Sequence, residues 1–300
     1  MELLHMIAGI RSPFLDILIG LITRLGEEEL ILVVICAAFW CVNKQLAYKA
    51  GIVFFLSSIT VQGAKITFRI DRPWVLDPSF NPVPSAMARA TGYSFPSGHT
   101  QAGATLFGCL GAEFKRVPLK VISFTIVFLI AFSRMYLGVH TLSDVFVSVA
   151  ITLLLIFIVF KLFSGDTPSK QLIIGSSIFI VIYSIVTIIY ASILYSNGTI
   201  DQSYLIDSLK ACGAGMGFAA GMYVESFFIR FSVRAKSLLF NIIKFIIGFA
   251  GVMAIKEGLK LVIGIGLVTD TFRYFLMIFW IFALYPLIIK RFFAIEESRG

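Results

Sequence analysis

VISFTIVFLIA (residues 121–131) and ITLLLIFIVF (residues 151–160) contain no charged side chain, and such runs do not form the outside of a soluble protein. They are two of many. Over 300 residues the chain is 58% hydrophobic and 14% charged, against about 25% charged in an ordinary domain. The mean hydropathy is +0.94. These figures exclude disorder, a collagen repeat and a disulfide scaffold. The sequence therefore predicts an all-α, polytopic transmembrane helical bundle.

About twenty apolar residues cross a hydrocarbon core of roughly 30 Å. Working outward from the two runs, spans fall near residues 28–43, 46–69, 99–114, 118–137, 141–163, 170–194, 205–229, 238–266 and 271–289, about nine in all. Residues 13–25 are amphipathic and reach only about 20 Å as a helix. They are expected to form a short N-terminal interfacial helix, with a tilted tenth span as the alternative. Cys36, Cys41, Cys109 and Cys212 sit in apolar stretches without metal-type spacing and read as small buried hydrophobes. Residues 1–26 lack the features of a cleavable signal peptide.

The net charge is +8. The basic residues are scattered between apolar segments, which argues against nucleic acid as a partner. Lys44, Lys115/Arg116/Lys120, Lys161/Lys170, Arg230/Arg234/Lys236 and Lys290/Arg291 fall at alternate ends of successive spans. That alternation places these loops and the C-terminus in the cytoplasm. Residues 65–98 and 133–140 lie on the outer side, yet they carry Lys65, Arg69, Arg72, Arg89 and Arg134. Cations held against the charge rule predict a site for an anion. Pro73, Pro78, Pro82, Pro84 and Pro96 make residues 71–98 a fixed, non-helical segment.

Three short stretches bring the chemistry to that side. Lys65 and Arg72 are seven residues apart, two helical turns, and with Arg134 form a cationic set suited to a phosphate or pyrophosphate. Ser97-Gly98 stands directly before a helix starting near His99, where backbone N–H groups cradle an anion and glycine permits close approach. His140 and Asp144 have the i, i+4 spacing at which a carboxylate holds an imidazole N–H and leaves the other ring nitrogen free to attack. Two histidines in an anion pocket fit a two-step displacement, one as nucleophile and one as acid.

These stretches match the K-x6-RP, PSGH and SR-x5-H-x3-D motifs, and the chain resembles the type-2 phosphatidic acid phosphatase (PAP2) and haloperoxidase superfamily over roughly residues 14–163. The resemblance implies that His140 attacks phosphorus and forms a phosphohistidine, with Asp144 orienting it. His99 protonates the leaving oxygen and then activates water. Lys65, Arg72, Ser97, Gly98 and Arg134 hold the phosphoryl oxygens. No cofactor and no metal is implied, and the sequence shows no carboxylate cluster to bind one. On this reading residues 1–163 are the catalytic core and residues 164–300 are additional helices packed on it. The extra spans look like those of sphingosine-phosphate phosphatases and glucose-6-phosphatase.

The expected activity is hydrolysis of a lipid phosphate or pyrophosphate at the extracytoplasmic face of a bacterial plasma membrane. The candidate partners are phosphatidate, phosphatidylglycerol phosphate, a sphingoid phosphate and undecaprenyl pyrophosphate. The alternatives are a soluble phosphate ester as substrate, or a phospholipid transporter or scramblase using the same pocket; a haloperoxidase is a remote third. Gly213, Gly217 and Gly221 read as a packing stripe. Arg89, Asp207, Lys210, Lys256, Glu257 and Lys260 are candidates for head-group or gating contacts, because charges at membrane depth are functional candidates by default. The sequence gives no oligomeric state.

Overall fold

The computed structural model describes residues 1–88, 90–165, 168–235 and 237–293, and among these there is no strand. The helices are α1 (Glu2–Ala8), α2 (Pro13–Arg24), α3 (Glu28–Ala37), α4 (Lys44–Phe68), α5 (Pro73–Leu76), α6 (Pro84–Met87), α7 (Gly98–Glu113), α8 (Val117–Tyr136) and α9 (Leu142–Leu162). They continue as α10 (Lys170–Ser196), α11 (Gln202–Val224), α12 (Leu238–Met253), α13 (Leu259–Ile263), α14 (Leu267–Phe279) and α15 (Tyr285–Phe292). Single π-helical turns follow α3, α11, α12 and α14. The protein is an all-helical integral membrane protein.

Among the described residues, seven segments are long and apolar enough to cross a membrane, or eight if α1 and α2, which meet at a 118° bend, count as one broken span. Nine spans follow from the sequence, and the difference lies in residues 28–43 and 99–114. α3 is 10 residues long with Glu28 and Glu29 in its first turn, and α7 is 16 residues long. At 1.5 Å per residue, 16 residues reach about 24 Å, less than a hydrocarbon core of roughly 30 Å. The helix expected from residues 13–25 is α2, and α1 precedes it across the bend.

The chain forms two compact units. The first comprises Met1–Leu32 and Thr60–Phe160. In it, Pro13 at the first helical position and the Ser12 hydroxyl, which accepts from Leu15 N at 3.3 Å, start α2. Leu4, Ile7 and Ile19 of the N-terminal pair pack with Phe80, Met135 and Val139 in one buried cluster. Arg11 Nε donates to the Tyr136 carbonyl at 2.9 Å, and Tyr136 Oη donates to Asp16 Oδ1 at 2.8 Å. Burying those apolar side chains drives the association, and the polar bonds fix its register.

The second unit comprises Val33–Ile59 and Lys161–Gly300. An aromatic core of Phe39, Trp40, Phe218, Phe282 and Tyr285 fills it. Glu225 is 1% exposed, and its charge is met by Lys44 Nζ at 2.6 Å, by the Tyr48 hydroxyl and by Phe231 N at 3.1 Å. A buried carboxylate survives only with such donors. α11 and α14 lie against one another because Gly213 and Gly217 have no side chain: a Cβ on either would press into the Thr271 or Phe275 carbonyl. Gly217→Ala therefore forces backbone apart and is expected to lower stability by about 1–3 kcal/mol. This reads out as a reduced Tm in detergent, and an unchanged Tm would remove the close-approach account.

Candidate active site

α8 ends in a turn that its sequence specifies. Gly138 takes φ +76°, the left-handed region where a side chain is strained, and Gly138 N and Val139 N donate to the Met135 and Arg134 carbonyls at 2.9 and 3.1 Å. These two bonds are a Schellman cap. His140 N also reaches the Arg134 carbonyl, at 3.3 Å, so the five residues between Arg134 and His140 become one tight turn. α9 then starts with a capping box: Asp144 N donates to Thr141 Oγ1 at 3.4 Å, and Thr141 N donates to Asp144 Oδ2 at 2.8 Å. Asp144 is thus held by the helix start before it meets any imidazole. Its Oδ2 lies 3.3 Å from His140 Nδ1, and both side chains are buried.

Lys65 and Arg72 come together in a way the seven-residue spacing does not predict. α4 stops at Phe68, and Arg69 takes φ +50°, so Arg72 is not on the helical face that carries Lys65. Both side chains instead reach the same loop. Lys65 Nζ donates to the Tyr93 carbonyl at 2.9 Å, while Arg72 Nε and Nη2 donate to the Gly92 and Thr91 carbonyls at 2.8 and 2.6 Å. Arg72 Nη1 donates to the Val139 carbonyl at 2.9 Å and lies 3.0 Å from His140 Nε2. A guanidinium only donates, so Nε2 is the acceptor and the ring proton sits on Nδ1, facing Asp144.

Ser97 caps α7. Its Oγ accepts from Thr100 N at 3.4 Å and Thr100 Oγ1 at 3.0 Å, and its own amide donates to the Asp144 carbonyl at 3.2 Å. The space beside Gly98 is open, since a Cβ there would meet nothing within 4 Å. Arg134 is 3% exposed, and its Nη1 donates to Thr23 Oγ1 at 2.8 Å. Arg134 Nε and Asp144 Oδ1 are buried without a hydrogen-bond partner among the described residues. His99 lines a cavity of about 470 Å³ with Glu27, Glu28 and Glu29. That acidic wall was not foreseen, although three consecutive glutamates in a chain with 14% charged residues were a visible signal. Thr23 and Ser94 were missed as well, and neither stands out in spacing or composition.

Arg89 lies outside the described residues. Asp207 and Lys210 pair with each other at 3.5 Å. Lys256 and Glu257 lie in the π-helical turn after α12, and Lys260 lies in α13. All five of these belong to the second unit. That unit also holds a buried pair not singled out from the sequence, Arg273 Nη2 to Asp270 Oδ1 at 2.7 Å; Asp270, which falls between the expected spans 238–266 and 271–289, sits in α14.

Fold and site thus define a polytopic helical membrane protein with a buried histidine–carboxylate pair set among cations. Residues 46–168 match the PAP2 superfamily, and residues 209–297 match the transmembrane extension of PAP2 superfamily phosphatases. The chain thus carries a PAP2 superfamily domain followed by a PAP2 transmembrane extension. It is 27% identical over 241 residues to a probable sphingosine-1-phosphate phosphatase of Dictyostelium discoideum, covering 73% of this chain and 56% of that protein. It is 27% identical over 168 residues to phosphatidylglycerophosphatase B of Bacillus subtilis, covering 50% of this chain and 76% of that one. Sphingosine-1-phosphate phosphatase 2 of Mus musculus is 25% identical over 239 residues, covering 76% of this chain and 64% of that protein. The chain therefore spans little more than half the length of the Dictyostelium relative. A crystal structure of Aquifex aeolicus LpxE is 28% identical and covers 53% of this chain and 93% of its own, at a TM-score of 0.46.

Burial holds the His140 imidazole well below its ordinary value of 6.5; the Arg72 and Arg134 charges push the same way, and Asp144 opposes them. The protonated ring is the disfavoured form, so His140 stays neutral at pH 6.5 and charges only on further acidification. The chain has three histidines, so an NMR titration with His140→Ala for assignment can resolve the ring. A midpoint at or above 6.5 would contradict the burial argument.

Proposed function

We propose that the protein is a membrane phosphatase that hydrolyses a lipid phosphate or pyrophosphate through a phosphohistidine on His140. The observation that carries this reading is the chain Asp144 Oδ2–His140–Arg72, with Nδ1 held by a carboxylate at 3.3 Å and Nε2 facing a guanidinium at 3.0 Å. It supports an imidazole whose nucleophilic lone pair points to where a phosphoryl oxygen would pair with Arg72. An arriving phosphate draws Arg72 Nη1 from Nε2 and frees that lone pair. Nε2 then forms the N–P bond as the P–O bond to the lipid alcohol breaks, and His99, as imidazolium, gives its proton to the leaving oxygen. Water attacks the phosphohistidine with His99 as base, the N–P bond breaks, and inorganic phosphate leaves.

The oxyanion holders on this reading are Lys65, Arg72, Arg134, the Ser97 hydroxyl and the Gly98 amide. Two features support them: the buried, unmatched Nε of Arg134, and the open space at Gly98, whose missing side chain no protein packing requires. The distribution of loop cations supports an extracytoplasmic site and a cytoplasmic C-terminus, as in a bacterial plasma membrane. The names of the relatives favour a sphingoid phosphate or phosphatidylglycerol phosphate as substrate, and phosphatidate and undecaprenyl pyrophosphate complete the set of lipids to test.

Detergent-solubilised protein is expected to release phosphate from one or more of these lipids and not from glucose 6-phosphate. His140→Ala should lower the rate roughly 10³-fold or more. Full activity of that variant would end the phosphohistidine account. Vanadate should inhibit and EDTA should leave the rate unchanged; loss of activity in EDTA restored by a divalent cation would contradict a cradle made of side-chain cations alone. Gly98→Ala should lower activity without lowering Tm, because the added methyl meets ligand and not protein.

A further inference from the structure

Ser94 lies outside the three motifs, yet it touches both members of the histidine–carboxylate pair. It is fully buried, and its amide donates to the Ile70 carbonyl at 2.7 Å, which fixes its backbone. Its Oγ is 2.5 Å from Asp144 Oδ2 and 3.3 Å from His140 Nδ1. An ionised carboxylate only accepts, so the single hydroxyl hydrogen goes to Oδ2. The serine lone pairs then face Nδ1–H, which lies at 3.3 Å from Asp144 Oδ2 and at 3.3 Å from Ser94 Oγ. Oδ2 collects Ser94 O–H, Thr141 N–H and Nδ1–H, while Oδ1 has no partner among the described residues.

We infer that Ser94 is a positioning residue for the nucleophile, holding the Asp144 carboxylate by its O–H and sharing the His140 Nδ1–H through its oxygen lone pairs. This inference rests on the phosphatase reading of the same site. When Nε2 bonds phosphorus the ring becomes cationic and Nδ1–H becomes a stronger donor. Two fixed acceptors then stabilise the intermediate more than the neutral resting ring, which lowers the barrier to attack. The capping box fixes only one direction of approach to Oδ2. Ser94 supplies a second, from another segment of chain, and stops the carboxylate from rotating its unmatched Oδ1 toward the imidazole. Outer partners of this kind contribute about 10–100-fold in activity.

The test is a mutant cycle on the lipid panel, with folding followed by Tm. Ser94→Ala is expected to lower kcat about 10–100-fold with KM changed less than about threefold. In an Asp144→Ala background the two substitutions are expected to be non-additive by at least about fivefold, since the Ser94 hydroxyl has then lost Oδ2 and keeps only its contact with Nδ1–H. A structural role would instead lower Tm and subtract equally in both backgrounds, and that additive result would overturn the inference. Ser94→Ala with wild-type kcat in an active enzyme would overturn it too, leaving the phosphatase reading intact. A folded wild-type protein inactive on every lipid would remove that reading and the role of Ser94 with it.

Discussion

Arg72 is a guanidinium taken out of water and placed against an imidazole, and much of the first unit is arranged around that cost. A buried cation needs acceptors in its own plane. Three backbone carbonyls, from Thr91, Gly92 and Val139, supply them at 2.6–2.9 Å. Those carbonyls come from two separate stretches, the proline-rich loop and the corner after α8. Arg72 therefore ties the loop to the corner and at the same time decides which nitrogen of His140 carries the proton. It also places positive charge beside a ring that burial already keeps neutral.

The remaining geometry comes from ordinary rules of helix termination put to chemical use. A Schellman cap closes α8 and a capping box opens α9, and only residues 137–141 lie between the two helices. Asp144 satisfies an orphan amide at the start of its helix and faces Nδ1 with the same oxygen atom. A residue doing both has little freedom to drift, because losing its position at the ring also means losing a helix cap worth about 1 kcal/mol. The serine at position 94 adds a third restraint on that oxygen.

In the second unit, two buried charges meet opposite charges close by. Glu225 is surrounded by Lys44, Tyr48 and a backbone amide, and Arg273 pairs with Asp270 one turn away on α14. Pairing of this kind keeps ionised groups tolerable at membrane depth. The glycines of α11 allow α14 to approach backbone to backbone, as helices in lipid do when no hydrophobic force separates inside from outside.

By itself the sequence determined the helical membrane architecture, since long uncharged runs leave no other way to satisfy the backbone in lipid. It also determined the kinship, because three motifs in order are local patterns that need no folding to be read. Seven of the expected spans keep their places, whereas residues 28–43 and 99–114 pass for spans on hydropathy and fall short on helix length. Lys65 and Arg72 were legible as residues but not as geometry, because a left-handed Arg69 breaks the helical register on which their spacing argument rested. Thr23, Ser94 and the Glu27–Glu29 wall were not legible as site residues at all. Their importance lies in contacts with residues tens of positions away, and only tertiary folding, which spends conformational entropy to bring distant segments into one water-poor volume, decides which hydroxyl or carboxylate faces a given imidazole.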